Sequence, residues 1–276
     1  MNPKNLTTPD ALAFRRVTCA FPGTRKRPSY IAVKEASLSI ADGEFVALVG
    51  PTGCGKSTLL NVAAGLLQPS EGETFVFGNR LDGLNRRAGY MFQADSLLPW
   101  LTALGNVSLG LELRGMARRD AEAEARRWLR RVGLAAHEHK YPHELSGGMK
   151  KRVSIAQLFV TNPKILLMDE PYSALDIQTR QLMENELLTL WGEDRKTVLF
   201  VTHDLEEAIS LADRVVVLSA GPATHPIETF TIELPRPRDV TEIVHSPDYS
   251  RIHGLIWDTL KSEVLKSYAL STGTGG

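Results

Sequence analysis

The chain has 276 residues, with 32 lysines and arginines against 32 aspartates and glutamates. That length suits one large domain with a modest appendage, and the cancelled charge argues against a surface built for nucleic acid or an anionic membrane. No apolar window approaches the roughly 18–20 residues of a membrane span, residues 1–10 carry no apolar secretory core, and Cys19 and Cys54 offer neither metal-ligand spacing nor a disulfide framework, so a cytoplasmic chain in a reducing compartment is expected.

Residues 44–49 are short and apolar, as in a buried strand, and run directly into Gly50-Pro51-Thr52-Gly53-Cys54-Gly55-Lys56-Ser57-Thr58. This is GxxxxGK[ST] between a strand and a helix, because Leu59, Leu60, Ala63, Leu66 and Leu67 then share one helical stripe. Glycines at 50, 53 and 55 let the backbone curl until successive N–H groups face phosphates. Lys56 neutralises the terminal phosphates, and the Ser57 hydroxyl suits a magnesium ion. A nucleoside triphosphate site is expected here. With Cys54 inside the loop, alkylation is expected to block ATP, and ATP to protect the thiol.

Further along, Gln93 follows a short apolar stretch and could bring an amide near metal and water. Between residues 94 and 143 strand patterns disappear. A helix beginning near Asp120 places Ala125, Trp128, Leu129 and Val132 on one face, with a Glu122–Arg126 pair and Gly133 just past its end. Arg126, Arg127, Arg130 and Arg131 read as its solvated face. In Leu145-Ser146-Gly147-Gly148-Met149, Ser146 is a good N-cap and the glycines leave N–H groups uncovered, so this helix end suits an anion.

Residues 165–168 form a second buried strand that ends in Asp169-Glu170. The two neighbours point to opposite faces, so Asp169 can hold magnesium while Glu170 faces the attacking water as base. Strand 197–202 delivers His203 to the same edge, within reach of a γ-phosphate, and Asp204 starts the next helix. Residues 214–218 read as one more core strand and 229–234 as an edge strand closed by prolines. From 248 to 268, Ile252, Ile256, Leu260 and Val264 line one helical stripe that packs back on the domain, and residues 271–276 are expected to be disordered.

Taken in order, residues 50–58, Gln93, 145–149, 166–170, Ser173-Ala174-Leu175-Asp176 and His203 resemble the ATP-binding subunits of ABC transporters. The resemblance covers about residues 12–240. It implies an α/β fold: a P-loop NTPase core with a mixed, largely parallel sheet, an antiparallel N-terminal β subdomain, and a helical subdomain inserted at about 94–150. Residues 241–276 would be a helical extension and flexible tail. It further implies ATP and Mg2+ as ligands, with Ser57, Gln93 and Asp169 around the metal, Glu170, His203 and Gln93 in catalysis, and Phe21 stacking on adenine. Tyr30 competes for that last role, and either aromatic could instead be core.

Two such subunits would meet head to tail, each offering Ser146-Gly147-Gly148 to ATP on its partner's P-loop, a homodimer being the simplest arrangement. Segments 93–100, Asn106-Val107, 141–149 and Leu234-Pro235-Arg236-Pro237-Arg238 look like the nitrate/sulfonate/taurine-type importers. That family implies a membrane permease and a solute-binding protein as partners, a small anionic solute, and a place on the cytoplasmic face of the inner membrane. Leu97, Leu98, Pro99 and Trp100 would line the groove that receives a permease helix. The chain departs from the pattern at Lys150-Lys151-Arg152, where Arg-Gln-Arg is usual, at Gln157, at Tyr172-Ser173 and at Leu101. A soluble ABC-type ATPase acting on DNA or ribosomes fits less well, because only about 90 residues separate Lys56 from Ser146, without sustained heptads. A P-loop kinase of small molecules would have no use for 145–149.

Overall fold

The computed structural model describes residues 9–23, 29–94 and 96–271. In chain order the elements are β1 (Leu12–Phe21), β2 (Tyr30–Ile40), β3 (Phe45–Val49), α1 (Lys56–Ala64), β4 (Glu71–Val76), β5 (Asn79–Arg80), β6 (Ala88–Met91), α2 (Ala103–Glu112), α3 (Arg118–Arg131), α4 (Gly147–Val160), β7 (Ile165–Asp169), α5 (Ile177–Glu193), β8 (Thr197–Val201), α6 (Leu205–Leu211), β9 (Arg214–Leu218), β10 (Pro226–Thr231), α7 (Val240–Ile243) and α8 (Pro247–Ser271). Ser271 thus still belongs to a helix, and the rest of the expected disordered tail, residues 272–276, lies outside the described residues.

One sheet is antiparallel, in the order β2-β1-β4-β5; the other runs β10-β9-β3-β8-β7-β6. In the second, β3 pairs in parallel with β8 and β9, and β7 with β8 and β6, while β10 alone joins antiparallel. Side chains of a strand alternate between faces, and the core divides on that alternation. Phe45, Ala47 and Val49 of β3, with Leu166 and Met168 of β7, face a cluster shared with the helices α2 to α8. Val46 and Leu48, with Ile165 and Leu167, face α1 and the antiparallel sheet. Strands buried on both faces carry no polar alternation, which is why β3 is apolar throughout and β7 and β8 are apolar but for Asp169 and Thr197 at their ends.

Five parallel strands, β9, β3, β8, β7 and β6, therefore end at one edge of the sheet, where open α/β sheets bind ligands. Among its described residues the segment between β6 and β7 holds no strand, and its helices α2, α3 and α4 send their facing residues into the first cluster. Its capping follows the sequence: Thr102 Oγ1 accepts from Gly105 N, Ser146 Oγ from Met149 N at 3.3 Å, and Gly133 N–H closes α3 on Arg130 O. Arg126 bridges Glu122 and Glu138, Arg127 pairs with Glu124 and Arg131 with Glu193, a solvated charged face as expected.

Three boundaries differ from the sequence reading. α1 stops at Ala64 because Gly65 takes φ 71°, where a Cβ would fall 1.9 Å from Gly83 O, so Leu66 leaves the stripe and is 53% exposed. β10 begins at Pro226 and ends at Thr231, antiparallel to β9. On α8, Ile252, Ile256 and Leu260 are buried but Val264 is 41% exposed. An i,i+4 series drifts about 40° per step, so three steps rotate it off the packed face, and Glu263 takes the inner position instead. Its carboxylate, held low by Lys266 and the Ala220 N–H against the opposing effect of burial, accepts from Ala220 N at 2.7 Å.

Candidate nucleotide site

The loop after β3 is shaped by its own lysine. Lys56, 5% exposed, donates from Nζ to Gly50 O at 2.8 Å and Pro51 O at 3.1 Å, so the ammonium spans the turn that Gly50 to Gly55 describes. Gly55 has φ 117° and a Cβ there would sit 3.2 Å from Ala32 O, which explains glycine at the position where the chain turns into α1. The first N–H groups of α1 thereby open onto a cleft of about 460 Å³ lined by Thr52, Gly53, Gly55, Lys56, Ser57, Thr58, Gln93, Glu170 and His203.

Cys54 is the correction in this loop. Its side chain is 1% exposed and packs into the cluster beneath the antiparallel sheet, with burial pushing the thiol pKa up. It faces away from the cleft, so the expected ATP-protected alkylation is withdrawn; its backbone N–H donates to Pro51 O within the turn.

Ser57 Oγ donates to Asp169 Oδ1 at 2.9 Å, bridging the start of α1 to the end of β7. A hydroxyl beside a carboxylate, next to a phosphate-binding turn, is the hard-oxygen donor set that Mg2+ takes together with phosphates and water. Burial raises the Asp169 pKa, and the Ser57 hydroxyl pulls it back down. Tyr90, on β6, adds a contact the sequence reading gave no role: its hydroxyl lies 3.0 Å from Asn61 Oδ1 and 3.5 Å from Asp169 Oδ2, and burial drives its pKa up. The signal lay in register, since Tyr90 pairs with Leu167, two residues before Asp169.

Glu170 adopts φ 42°, in the left-handed region a side chain rarely occupies. Neighbours hold it there: its N–H donates to Val201 O at 2.8 Å, and its carbonyl accepts from Ser173 Oγ at 3.1 Å. This twist brings its carboxylate between two other predicted residues. Oε2 lies 3.3 Å from Gln93 Nε2 and 3.0 Å from His203 Nδ1, so three strand ends meet on one oxygen. Asp204, the next residue after His203, caps α6 through Glu206 N and also binds Arg180 of α5 at 2.6 Å.

Ser146, Gly147 and Gly148 are not among the residues lining this cleft; they open α4, beside Leu175 and Thr179. Phe21 and Tyr30 are cross-strand neighbours, 41% and 42% exposed, so neither is a core residue.

A glycine-rich loop facing acid, amide and imidazole across a parallel sheet edge defines a P-loop ATPase. A model of the ABC transporter family matches residues 33–173, and the chain belongs to that family. It is 44% identical over 236 residues to an uncharacterised ABC transporter ATP-binding protein of Methanocaldococcus jannaschii, covering 86% of each chain. To the bicarbonate transport ATP-binding protein CmpD of Synechocystis it is 39% identical over 260 residues, covering 94% of this chain and 92% of that one. To the nitrate import ATP-binding protein NrtD of Synechococcus elongatus it is 40% identical over 228 residues, covering 82% and 83%. A solved dimeric ATP-binding cassette in a post-hydrolysis state, bound to ADP and phosphate, matches with a TM-score of 0.72 at 32% identity, covering 81% of this chain and 100% of the other. The chain is thus an ABC transporter ATP-binding subunit that binds ATP and acts as an ATPase.

Proposed function

We propose that this subunit hydrolyses ATP at a site shared between two copies, to drive import of a small anion of the nitrate, bicarbonate, sulfonate or taurine type through a separate membrane permease fed by a solute-binding protein. The observation that carries the shared site is the separation of Ser146-Gly147-Gly148 from the cleft of its own chain, together with the dimeric cassette among its structural neighbours. The names of the bicarbonate and nitrate relatives support the anionic solute. Among the described residues no helix is long and apolar enough to cross a membrane; in this reading a separate permease supplies the path, with this subunit on its cytoplasmic face.

In this reading the loop from Gly50 to Thr58 wraps the β- and γ-phosphates with its N–H groups, Lys56 swings its ammonium onto them, and Phe21 stacks on adenine with Tyr30 beside it. Ser57 and Asp169 would hold Mg2+, together with Gln93; the ion would supply positive charge to neutralise the phosphates. Glu170 takes the proton of the attacking water, Gln93 orients that water, and His203 contacts the γ-phosphate while its Nδ1 steadies Glu170. Residues 12–240 form the ATPase domain, with the helical part at about 94–150, and 241–276 an extension. Of the expected permease groove, Leu97 is buried and Leu98 half-buried, which leaves Pro99 and Trp100 exposed. Trp100, 69% exposed, is its anchor.

Glu170→Gln is expected to slow ATP hydrolysis at least about a hundredfold while ATP still binds and traps a dimer, read by phosphate release and by size-exclusion mass. Turnover surviving that change would remove Glu170 as the base.

A further inference from the structure

Lys151 departs from the glutamine usual in the family, and its position is unusual for a lysine: just over one turn into α4, 3% exposed. Its Nζ donates to the backbone carbonyl of Gln93 at 3.0 Å. Gln93 lies just beyond the end of β6, where residues 92–94 are exposed and outside the sheet ladder. The hydrogen bond from α4 therefore fixes the main chain from which the Gln93 amide reaches Glu170 Oε2, 3.3 Å away, and Glu170 in turn meets His203 at 3.0 Å.

We propose that Lys151 is a positioning residue that locks the Gln93 loop to α4, so that the helix end offered to a second subunit and the amide in the chain's own cleft move as one body. Ser146 and Lys151 are five residues apart on one helix, about 7.5 Å along its axis, a distance over which a helix is stiff. An ammonium donating to a carbonyl makes a stronger tether than a neutral amide would. Movement of Ser146-Gly147-Gly148 against a partner's ATP is then passed to Gln93 without a flexible joint, and a first-rank catalytic contact is supported by a second layer. This inference rests on the placement of Gln93 in the catalytic site given above.

The test is steady-state ATP hydrolysis by the full chain carrying Lys151→Met, Lys151→Arg, Gln93→Ala and the Lys151→Met/Gln93→Ala pair, with thermal unfolding of each. Lys151→Met is expected to lower kcat about tenfold with KM for ATP changed less than about twofold, Lys151→Arg to recover most of the loss, and Lys151→Met to cost nothing further once Gln93 is alanine. If methionine lowers the unfolding midpoint, Lys151→Gln, which keeps a donor without the charge, gives the same comparison with a smaller loss. An unchanged kcat in Lys151→Met, or the same fold loss in both backgrounds, overturns the positioning role while leaving Gln93 in the site. Gln93→Ala with full kcat overturns both.

Discussion

Glu170 shows how one residue's chemistry is bound to its backbone. A left-handed φ of 42° costs energy, and here the sheet bond to Val201 and the Ser173 bonds offset it. The site's periphery stores a second cost. Glu184 on α5 is 2% exposed, and burial followed by the charges of Glu207 and Asp204, partly countered by Arg180, pushes its pKa up to about 8. Glu207, behind His203, is pushed up to about 7, chiefly by burial, even as Thr202 Oγ1 donates to it at 2.5 Å. Both acids hold protons in the folded chain that the unfolded chain releases at ordinary carboxylate values. Their contribution to stability is therefore full below about pH 4.5 and lost as pH rises through 7 and 8. Glu184→Gln is expected to flatten this fall, raising the unfolding free energy at pH 8.5 by about 1–3 kcal/mol and changing it by less than about 0.5 at pH 5, measured by denaturant titration. Equal effects at both pH values would show that Glu184 is charged when folded.

At the scale of elements, much of the fold is legible because strands buried on both faces and capped helices leave local signals. β3, β7, β8 and β9 fall within a residue of their expected bounds, and Ser146, Asp204 and Gly133 cap the helices they were expected to cap. What escaped was non-local. Gly65 ends α1 because Gly83 lies against it, and Cys54 turns inward because the antiparallel sheet covers that side of the loop. The motif Leu234-Pro235-Arg236-Pro237-Arg238 becomes intelligible only in the fold. Arg238, 7% exposed, donates to the carbonyls of Ile209, Ser210 and Ala212 at the end of α6 and to those of Ile232 and Leu234, while Arg236 pairs with Asp213. A cation at a helix C-terminus is favourable, and this one joins α6 to the segment after β10. Asn106 plays a like part for residues 98–102: wholly buried, it accepts from Leu98 N at 2.7 Å and donates to the carbonyls of Leu98, Leu101 and Thr102. Asn106→Ala is expected to cost about 2–3 kcal/mol in urea unfolding, because several buried groups lose their partner at once. A loss under about 0.5 kcal/mol would mean that the loop finds other partners.

At the scale of the whole molecule, the sheet gathers Gln93, Glu170, His203 and the glycine-rich loop at one edge, yet the N-terminus of α4 is not part of that cleft. In the proposed function that division makes a second chain part of the chemistry, with ATP joining the two and hydrolysis releasing them. The tether from Lys151 to Gln93 would let each site sense the other. Complementation tests this most directly. Ser146→Arg and Lys56→Ala should each abolish hydrolysis as homodimers. In a mixed dimer one site keeps both its loop and its helix end. Mixing the two inactive variants in equal amounts is therefore expected to restore up to about a quarter of wild-type turnover, half the dimers being mixed and half their sites intact. A mixture that stays inactive, although mass measurement shows mixed dimers, would contradict a site shared head to tail.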